Sequence, residues 1–413
     1  MGDLERSLRR FGVYAPVSQV CFWMPVFFLY FGERFSIEEV LWLESFYYAS
    51  VVLLEVPSGY LSDRLGRRAT LLCSAGAMAA GYTLFLFGGT SFLLFALAQL
   101  GKAVGYSFLS GTDAAFHYDT LAALGREDEY AEREARLLRN GYVGAAAGAV
   151  LSGLLATFDL RIAYGLSLLN AGVMMLLVLS LREPPRQEGG WATDGMGAQL
   201  LACTVLLRRP LLLWLFAYFV LKITLEHIPY EFAQPYLAAV LGEPVTAVRN
   251  TPAASGLLFA VIAIVGSLAA NYSIRLRRRL GLGGALLGAA TLQTGLIAAM
   301  AVAISPLVVP LIAFRSSLAA LSGPIVRAEI APRVPQARRA TYLSLHSLAG
   351  RLGYSAVLLG LAFAASGRSI DDPGTLQTLL AWSLLPGVCG IALLLVTRGA
   401  LREGESTPIA PSR

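Results

Sequence analysis

The sequence predicts an all-α membrane protein with twelve transmembrane helices in two six-helix halves. The composition, the spacing of the apolar segments and the distribution of Arg and Lys each support this fold class. Of the 413 residues, 56% are hydrophobic and 15% are charged, and the mean hydropathy is +0.62. A soluble chain of this length could not bury so much apolar surface, so a lipid bilayer is the expected solvent.

The apolar residues form blocks of about 18 to 25 residues, which is the length that crosses roughly 30 Å of hydrocarbon as a helix. Each block must be helical, because an open strand or loop would leave backbone hydrogen-bonding groups unpaired in lipid. The predicted spans are 11–31, 39–58, 69–89, 91–112, 140–158, 162–181, 211–240, 253–273, 281–303, 305–326, 342–366 and 376–397.

The basic residues concentrate in alternate loops. With the N-terminus inside, the cytoplasmic segments hold 25 of the 33 Arg and Lys residues, the external loops hold 4 and the spans hold 4. This bias places both termini in the cytoplasm. The net charge of +6 then reflects topology, and because seven segments share it, we expect no nucleic-acid partner. Two Lys against 31 Arg indicate a GC-rich bacterial genome, hence the inner (plasma) membrane.

The chain repeats itself at an offset close to 212 residues. This shift places Leu109-Ser110-Gly111 on Leu321-Ser322-Gly323, and Arg139 on Arg351. The repeat predicts an N-terminal half at 1–181, a cytoplasmic linker at 182–208 and a C-terminal half at 209–413.

The stretch GYLSDRLGRR at 59–68, between spans two and three, resembles the signature loop of the major facilitator superfamily of bacterial secondary transporters. The alternative interpretation, a solvated basic loop, explains the arginines but neither the acid nor the two glycines. The corresponding turn of the second half, NYSIRLRRRLG at 271–281, lacks the acid. The residues that carry the resemblance are Gly59, Asp63, Arg64, Gly66, Arg67 and Arg68.

The resemblance implies that this loop latches the cytoplasmic side closed by holding one half against the other. Asp63 would then face the N-terminal end of span eleven. Arg64 or Arg67 would pair with an acid at the end of span four, for which Asp113 and Asp119 are the candidates.

Ionisable residues inside the spans are the candidates for the transport site, because burying them costs at least a few kcal/mol each. Span seven has the densest group, and helical spacing places its polar residues on one half-cylinder. We expect Glu226, near mid-span, to carry a coupling proton, with Glu44, Glu55 and Glu231 as rivals. The polar residues of span seven are Lys222, Glu226, His227, Tyr230, Glu231 and Gln234.

Two further groups of polar residues lie in other spans. In span two, Glu44, Tyr48 and Glu55 share a face that we expect to line a cavity. Lys102 and Arg315 occupy nearly equivalent positions of the two halves, so they either bind an anionic substrate group or pair with buried acids. The intraspan cations Lys102, Lys222, Arg315 and Arg351 balance the acids Glu44, Glu55, Glu226 and Glu231.

These features predict a secondary active transporter for a small amphipathic, zwitterionic or weakly ionised solute. We expect proton coupling, export as the direction, and a monomer in the bilayer. The sequence has neither a His-Glu-x-x-His motif nor a phosphate-binding loop, so we expect no enzyme activity, metal or cofactor. One alternative is an uptake carrier for an organic anion held by Lys102 and Arg315. A membrane receptor or scaffold is the other, which the buried charges disfavour.

Overall fold

The computed structural model describes residues 2–185, 201, 203–270, 272–330, 333–334 and 336–401, and within these ranges it contains helices and no strand. The α-helices are α1 (Gly2–Ser18), α2 (Phe27–Gly32), α3 (Ile37–Leu65), α4 (Arg67–Phe87), α5 (Phe92–Leu109), α6 (Thr112–Ala122), α7 (Tyr130–Leu155), α8 (Arg161–Leu179), α9 (Pro210–Leu241), α10 (Thr251–Ala270), α11 (Ser273–Val302), α12 (Val309–Ile312), α13 (Arg315–Ile330), α14 (Gln336–Ala365), α15 (Pro373–Trp382) and α16 (Leu384–Val396).

Nine helical stretches of the described chain are long and apolar enough to cross a membrane. Every predicted span coincides with a single helix or with two helices in succession, which is consistent with twelve spans. Large apolar side chains face outward, with Leu53 exposed by 74%, Phe158 by 83% and Val396 by 84%. Lipid is the solvent that accepts such a surface, so the predicted all-α membrane fold is confirmed.

The helix ends lie on two opposite faces. We call one the linker face, because it holds the end of α8 that leads into residues 182–208. There, the Arg10 guanidinium donates to the carbonyl of Ser180 at 2.7 Å. On the opposite, far face, Gly32 packs against Val245. Residues 186–200 and 202 of the predicted linker lie outside the described ranges, and the division at 181 and 208 stays a prediction.

An ion pair recurs in both parts of the repeat at the linker face. Arg67 Nε lies 3.3 Å from Asp119 Oδ2. Arg277 pairs with Glu329, and both of these residues lie 210 positions after their counterparts. The second turn therefore retains an arginine–acid pair although its sequence lacks the aspartate of the signature loop.

The turn at Gly66 requires glycine for two reasons. Its φ of +98° lies in the region that side chains rarely adopt, and a Cβ there would lie 2.8 Å from the Glu183 carboxylate. That carboxylate accepts the backbone N–H groups of Arg67 at 2.6 Å and Arg68 at 2.7 Å. Glu183 thus caps the N-terminus of α4, where the first N–H groups have no partner within the helix.

On the far face, Glu243 performs a similar role for α10. Its carboxylate accepts the backbone N–H groups of Arg249, Asn250 and Thr251 at 2.8 to 2.9 Å. Burial raises the pKa of Glu243, but these hydrogen bonds and that of the Thr251 hydroxyl lower it more, to about 2.

We predict that the stabilisation by Glu243 depends on pH. The lowered pKa means that the stabilisation is complete above the ordinary value of 4.5 and is lost as the pH falls toward 2. The difference in thermal midpoint between the wild type and Glu243→Ala should therefore be constant from pH 7 to 5 and shrink below pH 4.5. Glu127→Ala, which removes an exposed acid of the linker face, is the control. A difference that is as large at pH 2.5 as at pH 7 would contradict the assignment.

The first predicted span, 11–31, is not one continuous helix. Helix α1 ends at Ser18, and α2 begins only at Phe27. Pro16 lies inside α1 and Pro25 precedes α2, and proline has no backbone N–H to continue a helix. The prediction of an uninterrupted span is wrong, and side chains of α7, α8, α9 and α10 reach the interruption.

Candidate functional site

Side chains from several helices satisfy the backbone of the interruption between α1 and α2. A break inside a membrane needs such partners, because lipid offers none. The Asn170 amide donates to the carbonyls of Val17 and Val20 at 3.2 Å, and the Ser152 hydroxyl donates to that of Phe22 at 2.5 Å. The Gln234 amide donates to the carbonyl of Met24 at 3.0 Å, and the Ser255 hydroxyl donates to that of Pro25 at 2.6 Å.

A cavity of about 530 Å³ opens beside this interruption. A second cavity, of about 810 Å³, shares lining residues with it and extends between α7, α10, α13 and α14 to their linker-face ends. The residues that line both are Gln19, Cys21, Met24, Glu226 and Arg315. Of the predicted site residues, the first cavity contacts Tyr48, Asp113, Glu226, His227, Tyr230 and Arg315.

Toward the far face, the helices on either side of the cavity are in direct contact. The Ser45 and Ser355 hydroxyls, on α3 and α14, lie 2.9 Å apart. At the crossing of α7 and α10, a Cβ on Gly256 would lie 2.5 Å from the carbonyl oxygen of Ala149 and 2.9 Å from the Cα of Gly153. The cavity is thus open toward the linker face and closed toward the far face.

Helix α9 contributes most of the predicted polar residues, but they do not form one surface. Lys222 Nζ lies 3.2 Å from Glu226 Oε2, and this pair lines the second cavity. The Nδ1 atom of His227 lies 2.8 Å from the carbonyl oxygen of Ile223. Gln234 is fully buried, where it accepts the N–H of Phe28 at 2.9 Å.

The remaining cavity cations come from α13 and α14. The Arg315 guanidinium lies 5.2 Å from the ring centroid of Tyr230, and its side chain reaches both cavities. Arg351 Nη1 lies 3.8 Å from Glu55 Oε2, which joins α14 to α3. Glu55 therefore forms an ion pair between helices on opposite sides of the cavity.

Lys102 is buried in an aromatic cage. Its Nζ lies 4.1 Å from the ring centroids of both Trp23 and Tyr47, and 6.0 Å from that of Phe85. Ring faces attract a desolvated cation, so this cage stabilises an ammonium group in the protein interior. Arg315 also lies near two rings, those of Tyr230 and Phe259. It lines both cavities whereas Lys102 lines neither, although the repeat places the two cations at nearly equivalent positions.

Two buried carboxyl groups lie near this lysine. Glu44 accepts a hydrogen bond from Gln99 Nε2 at 2.7 Å and is 2% exposed. Glu231 is fully buried, and its Oε2 lies 3.2 Å from the hydroxyl of Tyr354 on α14. Its Oε1 has no hydrogen-bond partner, and no basic side chain of the described ranges lies within 4.0 Å of either oxygen.

The structure thus has a cavity that is open toward one face, next to an interrupted first span. A comparison of the sequence with known protein families agrees with this fold. The profile described as Major Facilitator Superfamily matches residues 13–358. The chain belongs to the major facilitator superfamily. No curated protein is significantly similar to it in sequence.

Solved structures of the major facilitator superfamily have the same fold. A mutant of the nucleoside transporter NupG is 13% identical, with a TM-score of 0.82 over 94% of this chain and 99% of NupG. A D-xylose–proton symporter is 14% identical, with a TM-score of 0.66 over 95% of this chain and 97% of the symporter. A bacterial homolog of the lysosomal transporter Spinster, in an inward-facing and occupied conformation, is 17% identical, with a TM-score of 0.64 over all of both chains.

The signature loop of the superfamily lies at the end of α3 and the start of α4. Gly59 and Asp63 belong to α3, but the side chain of Asp63 is outside what the structure describes. The Arg68 guanidinium donates to the carbonyls of Val178 and Leu179, which ties the loop to α8. Arg64 is exposed on the last turn of α3. The latch role of the loop stays a prediction.

Sequence reasoning missed several of the residues that build this site. Their partners lie on distant helices, so no local motif marks them. The missed residues are Trp23, Tyr47, Gln99, Glu183, Ser45, Ser355 and Tyr354.

In the described ranges, no group of three His, Cys, Asp or Glu side chains could hold a metal ion. The ionisable side chains that line the two cavities include Asp113, Lys222, Glu226, His227, Arg315, Arg327, Arg351 and several tyrosines.

Proposed function

We propose that this chain is a secondary transporter that moves a small amphipathic, zwitterionic or weakly ionised solute by alternating access. The observation that carries the proposal is the cavity itself, which has cationic and anionic side chains and opens toward one face only. If the helices on either side of the cavity moved as rigid groups, the cavity would open at the far face and close at the linker face. The solute would then be exposed to each side of the membrane in turn.

The distribution of basic residues orients this proposal in the membrane. Because 25 of the 33 Arg and Lys residues lie in segments on the side of the termini, the linker face would be cytoplasmic. The conformation described above would then be inward-open, in the inner membrane of a bacterium. Outward passage is the direction that the sequence favours, and uptake by symport is the alternative.

We further propose that protons drive transport and that Glu231 carries the coupling proton. The Tyr354 hydroxyl lies 3.2 Å from both the carbonyl of His227 and Oε2 of Glu231. A hydroxyl has one proton, so Tyr354 donates either to Glu231 Oε2 or to the His227 carbonyl; when it donates to His227, only a protonated Glu231 carboxyl can complete the second hydrogen bond by donating to Tyr354. That arrangement requires a protonated Glu231.

This assignment replaces the expectation that Glu226 carries the proton. Glu226 Oε2 lies 3.2 Å from Lys222 Nζ, and Glu226 lines both cavities. Glu231 lies deeper, where Glu44 on α3 and Lys102 on α5 act on it electrostatically. Rearrangement of α3 and α5 against α9 during transport would change this environment and release the proton.

The nature of the solute follows from the polar groups that reach the cavity. Arg315 and Arg351 supply positive charge, Asp113 and Glu226 supply carboxyl groups, and Tyr48 and Tyr230 supply apolar surface with hydroxyls. Such a set suits a molecule with both charged and apolar parts. The alternative carrier for an organic anion would rest on Arg315, because Lys102 is held in its aromatic cage.

A two-stage experiment tests the proposed function. Purified protein is screened for thermal stabilisation against a panel of amphipathic, zwitterionic and anionic solutes, and each stabilising solute is then tested for flux in proteoliposomes. We expect counterflow of at least one solute without a gradient and its accumulation under an imposed pH gradient. Stabilisation without any flux would instead support the receptor alternative, and flux that ignores pH would remove the proton coupling.

A further inference from the structure

An apolar groove lies on the membrane-facing surface, apart from the central cavity. It has a volume of about 840 Å³ and runs between α10, α11 and α13. Its lining includes Leu268, Leu292 and Phe314, which are 59%, 64% and 53% exposed. In a bilayer this groove faces the lipid chains directly.

The linker-face end of the groove leads into a cluster of arginines. Tyr272 lines the groove, and the guanidinium of Arg275 lies 5.5 Å from the centroid of its ring. Arg275, Arg278 and Arg279 are exposed and lie at the i, i+3 and i+4 positions of α11, so they share one side of the helix. We call these three residues the arginine cluster.

The neighbouring basic residue has a different role. Arg277 pairs with Glu329 on α13, so it belongs to the ion pair that recurs in both parts of the repeat. No acid of the described ranges lies within 4.0 Å of the arginine cluster. The cluster therefore presents positive charge without an internal counter-ion at the level of the lipid headgroups.

We propose that the groove and the arginine cluster together bind one anionic phospholipid. The phosphate would lie on the guanidinium groups, which match phosphate oxygens in geometry and charge, and an acyl chain would fill the groove. The depth fits, because Thr291 lies about 15 Å along the helix from Gly281, roughly the thickness of one leaflet, and Leu296, about 22 Å from Gly281, marks the inner end of the groove. The general excess of basic residues in the cytoplasmic segments would explain the arginines, but it would not explain an apolar groove that begins next to them.

Native mass spectrometry of the delipidated, full-length protein tests this proposal. Phosphatidylglycerol, phosphatidylcholine with the same acyl chains, and inorganic phosphate are added in separate titrations. We expect one phosphatidylglycerol to bind at least tenfold more tightly than phosphatidylcholine, and we expect phosphate alone not to compete. Two variants should weaken lipid binding. The triple variant Arg275→Gln/Arg278→Gln/Arg279→Gln should remove the preference for phosphatidylglycerol. Gly295→Leu should fill the groove and reduce binding of both lipids.

The matched control is Arg9→Gln/Arg139→Gln/Arg208→Gln, which removes the same charge from exposed positions elsewhere. If the control loses the preference equally, general electrostatics explain the binding and the site is wrong. Competition by inorganic phosphate would reduce the proposal to an anion site. Because binding is measured without transport, these results do not depend on the proposed function.

Discussion

Glu231→Gln should abolish accumulation of the solute under a pH gradient while leaving solute exchange intact. The glutamine amide can donate to Tyr354 as the protonated acid does, so the substitution preserves the hydrogen bonds and the fold but cannot release a proton. A gradient of one pH unit supports about tenfold accumulation for each coupled proton, because one unit corresponds to about 1.4 kcal/mol. Counterflow and gradient-driven uptake in proteoliposomes measure the two activities separately.

Glu226→Gln is the matched control for this prediction. It changes the same functional group on the same helix, five residues earlier, and removes an ion pair with Lys222 that faces the cavity. We expect it to weaken solute binding and to keep accumulation. The opposite result, with accumulation lost in Glu226→Gln and retained in Glu231→Gln, would return the proton to Glu226.

Gly256→Leu should shift the protein toward the conformation that is open at the far face. A Cβ at this position would meet backbone atoms of α7 at 2.5 to 2.9 Å, and backbone cannot move aside as a flexible side chain can. Overpacking of this kind costs about 1 to 3 kcal/mol, which corresponds to a population shift of about 5- to 150-fold. Separation of α7 from α10 would relieve the clash.

Labelling of a single cysteine measures this shift. Ser45→Cys, placed at the closed contact between α3 and α14 in a background without the four native cysteines, should react faster with an impermeant maleimide from the far face when Gly256→Leu is present. Gly165→Leu is the control, because a Cβ there meets nothing within 4 Å. Equal labelling rates in the two variants would show that the α7–α10 contact does not hold the far face closed.

The helices and their order were predictable because apolar block length and helix formation in lipid are tightly linked. The interruption of the first span was not, because the side chains that satisfy it, such as Asn170, Gln234 and Ser255, lie up to 230 residues away. Two prolines in the span were the visible signal, yet proline alone does not distinguish a kink from a break.

The candidate site likewise depends on contacts between distant residues that the sequence does not reveal. Helical spacing identified Glu226 and Glu231 as residues of interest and places Lys222 one turn from Glu226, but it could not rank the two acids, since the partner of Glu231, Tyr354, lies on α14. The equivalence of Lys102 and Arg315 in the repeat suggested a shared role. Aromatic rings lie near both cations, but packing gives them different environments, because Arg315 lines both cavities and Lys102 lines neither.

Distance measurement between spin labels tests the alternating-access account most directly. One pair, Thr90→Cys and Arg368→Cys, spans the far face, and a second pair, Leu65→Cys and Leu280→Cys, spans the linker face, all at exposed positions. On a change of pH or addition of a transported solute, we predict that the far-face distance lengthens while the linker-face distance shortens in the same population. Distances that stay fixed at both faces, in protein shown to transport, would contradict the account.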